Sequence, residues 1–166
     1  MTNKNQHLCI LIMGLPGAGK TTVAKILSKQ LKAVFIEADD HHSIQNIMKM
    51  SNGHPLTDLD RKKWLSSILN NARENLKNQN VIIACSALKE KYRKFLISLN
   101  YKLVYLKIEH KVALDRILKR KNHFMPSSLL ESQIKILEEP RTALEINSNL
   151  TVKEISKIIT NKYDLK

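Results

Sequence analysis

Near its start the chain reads LCILIMGLPGAGKTTVAKIL, from Leu8 to Leu27. Leu8–Met13 is continuously apolar, as a strand buried on both faces would be, and Lys20–Leu31 has helical apolar spacing. Between them Gly14, Gly19, Lys20 and Thr21 fit the G-x-x-x-x-G-K-[ST] phosphate-loop spacing. Glycines let such a loop curl so that successive N–H groups face phosphate oxygens, and the following helix adds its positive end. Gly14, Leu15, Pro16, Gly17, Ala18, Gly19, Lys20, Thr21 and Thr22 are therefore expected to hold a nucleotide. Lys20 would reach the β- and γ-phosphates, and the Thr21 hydroxyl would ligate Mg²⁺. Because this loop needs a strand before it and a helix after it, it restricts the chain to α/β architectures.

The remaining sequence keeps that alternation. Ala33–Glu37, Val81–Cys85, Lys102–Ile108 and Leu144–Asn147 read as strands. Helices are expected over Ser43–Met50, from Thr57 to about Lys77, over Lys89–Leu99, from about Lys111 to Lys121, from Ser128 to near Glu138, and after Thr151. Ser128 with Glu131, and Thr151 with Glu154, have capping-box spacing. The pattern predicts a doubly wound parallel sheet with helices on both faces, as one domain over 1–166, with ligands outside the carboxyl ends of the strands. The net charge is +13, but lysines are spread along the whole chain. A local basic cleft for a small anion fits this better than a nucleic-acid surface. Leu8–Met13 is too short for a membrane span. Cys9 and Cys85 lie in apolar runs and read as buried free thiols of a cytoplasmic protein.

Neither Val81–Cys85 nor Lys102–Ile108 ends in the aspartate that would supply a second metal carboxylate. Ser86 stands where one might be expected after the third strand. The nearest source is the end of the second strand, FIEADDHH, where Glu37, Asp39 and Asp40 compete. Glu37 and Asp40 read as caps of the next helix. Asp39, with His42 three residues on, offers a carboxylate and an imidazole for one pocket. Such a carboxylate can take a proton from an attacking hydroxyl or help to position Mg²⁺.

MGLPGAGKTTVAKILSKQL, EADDHHSIQNIMKMSNGHPLTDLDRKKWL, CSALKEKYRKFL and RILKRKNHF occur in that order. Together they resemble the bacterial-type gluconokinase family from the first strand to about Pro140. The resemblance implies a P-loop kinase fold like those of shikimate and nucleoside-monophosphate kinases, with a short lid over about 117–130. It implies transfer from ATP, with Mg²⁺, to the 6-hydroxyl of D-gluconate, and commonly a cytoplasmic homodimer. Gluconate is a polyol with one carboxylate, so its site needs a cation and several hydrogen-bonding groups. Arg61 offers a planar fork for the carboxylate, or else an ion pair with Asp58 or Asp60. Lys89 and Arg93, four apart on one helix, would face the same cleft or form a solvated basic face. His42 would bond a sugar hydroxyl or be a loop histidine, and Trp64 reads as core. Arg116 and Arg120 would come with the lid to the moving phosphoryl group, or else form a solvated charged face.

Some positions depart from the family's pattern. Ala38 and Ser43 replace a glycine and a proline after the second strand. Lys63 stands where a proline precedes the tryptophan, Asn122 replaces a lid glycine, and the segment after Pro140 is several residues short. His123 and Phe124 resemble the family's lid residues. The rival readings are a related kinase for another sugar acid or shikimate, and a nucleotide-binding protein without transfer activity.

Overall fold

The structure, a computed structural model, describes residues 7–121 and 126–165. Five strands form one parallel sheet: β1 (Cys9–Met13), β2 (Val34–Glu37), β3 (Val81–Ala84), β4 (Lys102–Lys107) and β5 (Leu144–Asn147). Their spatial order is β2-β3-β1-β4-β5. The first strand of the sequence is thus the central one, and successive connections go first to one side of it and then to the other. That reversal opens a crevice at the carboxyl end of β1, where the glycine-rich loop follows.

The helices are α1 (Lys20–Gln30), α2 (Ile44–Ser51), α3 (Asp58–Asn75), α4 (Glu90–Phe95), α5 (His110–Leu118), α6 (Leu129–Ile136) and α7 (Val152–Lys162). β1 shows why both faces of the sheet must be covered. Ile10 and Ile12 pack with Val23, Leu27, Ala113 and Ile155 on the α1, α5 and α7 side. Cys9, Leu11 and Met13 pack with Trp64, Ile68 and Tyr92 on the α3 and α4 side. The period-two alternation of a strand divides one apolar run between two layers. A third, separate cluster of Met50, Leu56 and Leu129 joins the α2–α3 connection to α6.

Three helical expectations need correction. Ser128 does not cap α6: its backbone is already helical (φ −59°, ψ −23°) and its side chain makes no capping bond. A capping side chain reaches back only from an extended residue. Instead, the carbonyls of Pro126 and Ser127 accept from the first amides of that turn, those of Leu129 and Leu130. Lys89 precedes α4 rather than lying within it, and α5 stops at Leu118, short of Arg120. The box at Thr151 and Glu154 forms, and Thr57 caps α3 in a second box with Asp60.

Cys9 and Cys85 are buried and free. Cys9 pairs with Val81 at the start of β3, whereas Cys85 follows the end of that strand, about 13 Å further on. That separation is beyond disulfide reach. Burial pushes both thiols up to about 12, so neither is a nucleophile at neutral pH. Among the described residues no helix is long and apolar enough to cross a membrane.

Candidate active site

The chain leaving β1 turns hard against β4. A Cβ at Gly14 would lie 2.6 Å from the Leu106 carbonyl oxygen, so only glycine fits there. At Gly19 the backbone is left-handed (φ +87°) and the space in front is open. Lys20 Nζ donates to the Leu15 carbonyl at 3.0 Å, folding the lysine over the loop. Burial lowers its pKa from the ordinary lysine value, and the Asp39 and Glu37 carboxylates partly restore it. A phosphate entering here would meet a desolvated cation and gain more from it than in water. Thr22 is exposed on α1, and the side chains of Leu15 and Ala18 are buried in the core.

In front of this loop lies a cleft of about 440 Å³. Lys20, Thr21, Asp39, His42, Arg61 and Arg120 all line it. The phosphate loop, the end of β2, the start of α3 and the residues beyond α5 thus meet in one cavity. Lys89, Arg93 and Arg116 do not line it. Asn122, His123 and Phe124 lie outside the described residues, as does part of the lid expected over 117–130.

Glu37 does more than cap. One carboxylate oxygen accepts from the Asp39 amide at 3.5 Å, while the other accepts from Thr21 Oγ1 at 2.5 Å. Burial raises its pKa above the usual range, against the lowering effect of the Thr21 bond. The acidic group beside the loop's hydroxyl is therefore Glu37, and Asp39 projects further into the cleft, 47 % exposed. A hydroxyl and a carboxylate in contact are the hard oxygen donors that Mg²⁺ takes from a protein when phosphates and water fill its other positions. The residues fit that ion.

The Asp39 turn is pinned from behind. Trp64 Nε1 donates to the Ala38 carbonyl at 2.6 Å, and the Trp64 ring stacks on His42 with centroids 4.6 Å apart. Trp64 is 3 % exposed, a core residue that also fixes the acceptor-side turn. The departures at Ala38 and Ser43 leave this turn intact. Ala38 needs no left-handed backbone. Ser43 keeps a proline-like φ of −65°, and its hydroxyl accepts from the Asn46 amide to cap α2.

His42 lies 4.0 Å from Asp39, with its side chain only 6 % exposed. Burial outweighs the nearby carboxylate and pulls its pKa from 6.5 down to about 4. The imidazole is therefore neutral at physiological pH, suited to hydrogen bonding rather than to pairing as a cation. The unfolded chain protonates this group below about pH 6.5, whereas the folded chain does so only near pH 4. The stability it confers is thus fully present above pH 6.5 and is lost as pH falls toward 4. Between pH 7 and pH 5 we expect a loss of about 2 kcal/mol, measured by urea unfolding. His42→Gln should lose clearly less over that interval, and equal losses would contradict a buried neutral imidazole.

Arg93, expected at the acceptor, is instead 6 % exposed and wholly committed to backbone. Nη1 donates to the Ala87 and Leu88 carbonyls at 2.8 and 3.0 Å, and Nη2 to the Glu138 carbonyl at 2.9 Å. Lys89 Nζ donates to Asp58 at 3.1 Å. Neither Asp58 nor Asp60 pairs with Arg61, because Asp60 is taken by Lys49 at 2.7 Å and by Thr57. Arg116 bonds the Gly17 carbonyl at 3.1 Å and Ser148 and Asn149 beyond β5, so it braces the outer side of the phosphate loop. Arg120 lines the cleft close enough to Lys20 to lower its pKa.

Ser86 and Gln133 are among the lining residues that carry no sequence-based assignment. Ser86, next to Cys85, brings the CSALK block to the cleft, and Gln133 enters from α6. Gln133 follows Leu129 by four residues and Leu130 by three, so a polar side chain on the buried face of that helix was the available signal.

A parallel sheet with a phosphate loop after its central strand, and a carboxylate beside that loop, defines a P-loop nucleotide-binding protein. Residues 10–134 match the family described as AAA domain. A probable gluconokinase of Xenopus tropicalis is 39 % identical over 168 residues, covering 87 % of this chain and 88 % of that one. Among solved structures, an unliganded sugar kinase from Janibacter sp. superposes with a TM-score of 0.88 at 34 % identity, covering 96 % of this chain and 95 % of that one. A gluconokinase from Sinorhizobium meliloti superposes with a TM-score of 0.78 at 32 % identity, covering 97 % and 98 %. The chain belongs to the gluconokinase family.

Proposed function

We propose that this protein transfers the γ-phosphoryl group of ATP to the 6-hydroxyl of D-gluconate, with Mg²⁺, as a cytoplasmic homodimer. The observation that carries this reading is the single cavity that unites Lys20, Thr21 and Arg120 with Asp39, His42 and Arg61. The loop amides and Lys20 hold the phosphates. Thr21 and Glu37 would hold the ion, which supplies charge neutralisation on the phosphate oxygens. Asp39 orients the acceptor hydroxyl and accepts its proton as the new O–P bond forms. The bond from the γ-phosphorus to the bridging oxygen breaks, ADP leaves, and Asp39 returns its proton to water. Arg120 stabilises charge on the phosphoryl group in transit. Arg61 pairs with the acceptor carboxylate, while His42, Ser86 and Gln133 supply hydrogen bonds to its hydroxyls.

The test is a coupled ADP-release assay with ATP and Mg²⁺ across D-gluconate, other sugar acids and shikimate. D-gluconate should be turned over with the highest kcat/KM. Indifference to gluconate with brisk use of another acceptor would overturn the assignment. Binding of ATP with no acceptor-dependent ADP release would point to a protein without transfer activity.

A further inference from the structure

Arg61 stands in the wall between the active cleft and an adjoining cavity of about 450 Å³, and lines both. Its guanidinium is held from one side only. Nη1 donates to the Leu56 carbonyl and, at 3.4 Å, to Tyr92 Oη. The guanidinium carbon lies 5.5 Å from the centre of the Tyr92 ring. Among the described residues Nε and Nη2 make no hydrogen bond. That leaves donors of a planar fork for a carboxylate in the cleft.

Tyr92 is itself fixed. It is 3 % exposed on α4, and its hydroxyl donates to Asp58 Oδ1 at 2.5 Å. With the phenolic proton committed to Asp58, the lone pairs of Oη are left for Arg61. Asp58 in turn accepts from Lys89 at 3.1 Å and from Lys91. Its bonds to Lys91, Tyr92 and Lys89 hold it well below the usual carboxylate range, so it stays an anion. Burial and the Asp58 bond push Tyr92 up to about 12, so it stays a neutral phenol. The relay runs from two lysines through a carboxylate and a phenol to one arginine, and joins the first turn of α3 to α4.

We infer that Tyr92 is a positioning residue, which holds Arg61 at the angle where its uncommitted nitrogens meet the carboxylate of the acceptor. Lys89 serves that geometry through Asp58 and does not itself bind the acceptor. The inference rests on the reading of the acceptor as a sugar acid.

The experiment compares D-gluconate with D-gluconamide, which lacks the charge, in wild type and Tyr92→Phe. Phenylalanine keeps the ring under the guanidinium and removes only the hydroxyl. The KM for gluconate should rise about three- to tenfold, the worth of one such hydrogen bond. The KM for gluconamide, the KM for ATP and kcat should change less than twofold. A purely structural role would move both acceptors alike. Should Tyr92→Phe fold poorly, Asp58→Ala removes the acceptor of the Tyr92 hydroxyl from an exposed position and should give the same selective loss. An unchanged preference for gluconate over gluconamide in both variants would overturn the inference. A wild type that ignores gluconate would instead refute the acceptor assignment. The relay is then decided by the NMR signal of Arg61 Nη1–H, the hydrogen-bonded group of that guanidinium, assigned by its absence in Arg61→Lys. That signal should be sharp and slowly exchanging in wild type and broadened in Tyr92→Phe. An identical signal in both would overturn the inference whatever the acceptor.

Discussion

Asp39→Asn is expected to lower kcat by about 10²- to 10⁴-fold, the usual worth of a positioned general base, while the protein stays folded and still binds ATP. The carboxylate shares the cleft with Lys20 and favours that lysine's charged form, yet it remains half exposed and open to an incoming hydroxyl. Its turn is held by the Glu37 carboxylate at the Asp39 amide and by Trp64 at the Ala38 carbonyl. Neither bond involves the Asp39 side chain, so asparagine can occupy the same position. What asparagine cannot do is accept the proton of the acceptor hydroxyl. Removing a negative charge beside a phosphate site should leave the Kd for ATP unchanged or slightly tighter. Single-turnover rates with saturating ATP and gluconate, together with ATP titration, read both effects. Near wild-type turnover would remove Asp39 from the mechanism.

Arg93→Met should cost about 3 kcal/mol or more, because buried hydrogen bonds to a charged donor are lost together. For a chain of this length that corresponds to a fall in Tm of about 6–12 °C. Burial already lowers the Arg93 pKa, and the protein tolerates the ion because backbone carbonyls surround it. One of them belongs to Ala87, a non-glycine residue with φ of +42°. Another belongs to Glu138, whose own amide donates to Leu88 and whose carboxylate accepts from the Glu90 amide at 2.6 Å. Methionine would strand the Ala87 and Glu138 carbonyls and leave Leu88 only its bond from the Glu138 amide. Since Arg93 lies off the cleft, the folded enzyme should keep its KM for gluconate within about threefold, a change of well under 1 kcal/mol. A stable variant with a greatly raised KM would instead restore Arg93 to the acceptor site.

These two residues mark where sequence was informative. All five strands were legible, because the first four are short apolar runs, β5 alternates apolar and polar residues, and the phosphate loop needs a strand and a helix around it. Asp39 was legible because strand order brings the end of β2 close to that loop. Arg93 was not, because its spacing from Lys89 assumed a helix through both, whereas α4 begins after Lys89 and turns Arg93 inward. Glu37 was read as a cap, and it is one. Its second oxygen reaches Thr21 across a gap in sequence that local pattern cannot bridge. Ser86 and Gln133 needed the packing of β3 and α6 around the cleft to be seen. In physical terms, periodicity reports which face of an element is buried, while side-chain direction at loop ends depends on distant backbone.

The cluster of Met50, Leu56 and Leu129 stands apart from both layers that cover the sheet. The corner it joins carries Gln133 on one side and leads into Arg61 on the other. Lifting α2 away at that corner exposes few apolar side chains and leaves the strands untouched, whereas α6 stays anchored in the main core through Leu130, so α2 is a low-cost unit to loosen. The α2 wall of the cleft therefore loosens ahead of the rest, and amide deuterium should enter α2 well before it enters β1 and β3. Substrate access is then thermodynamically separate from global unfolding, and a mutation in the sheet core can change how long the protein lives without changing how readily the cleft opens.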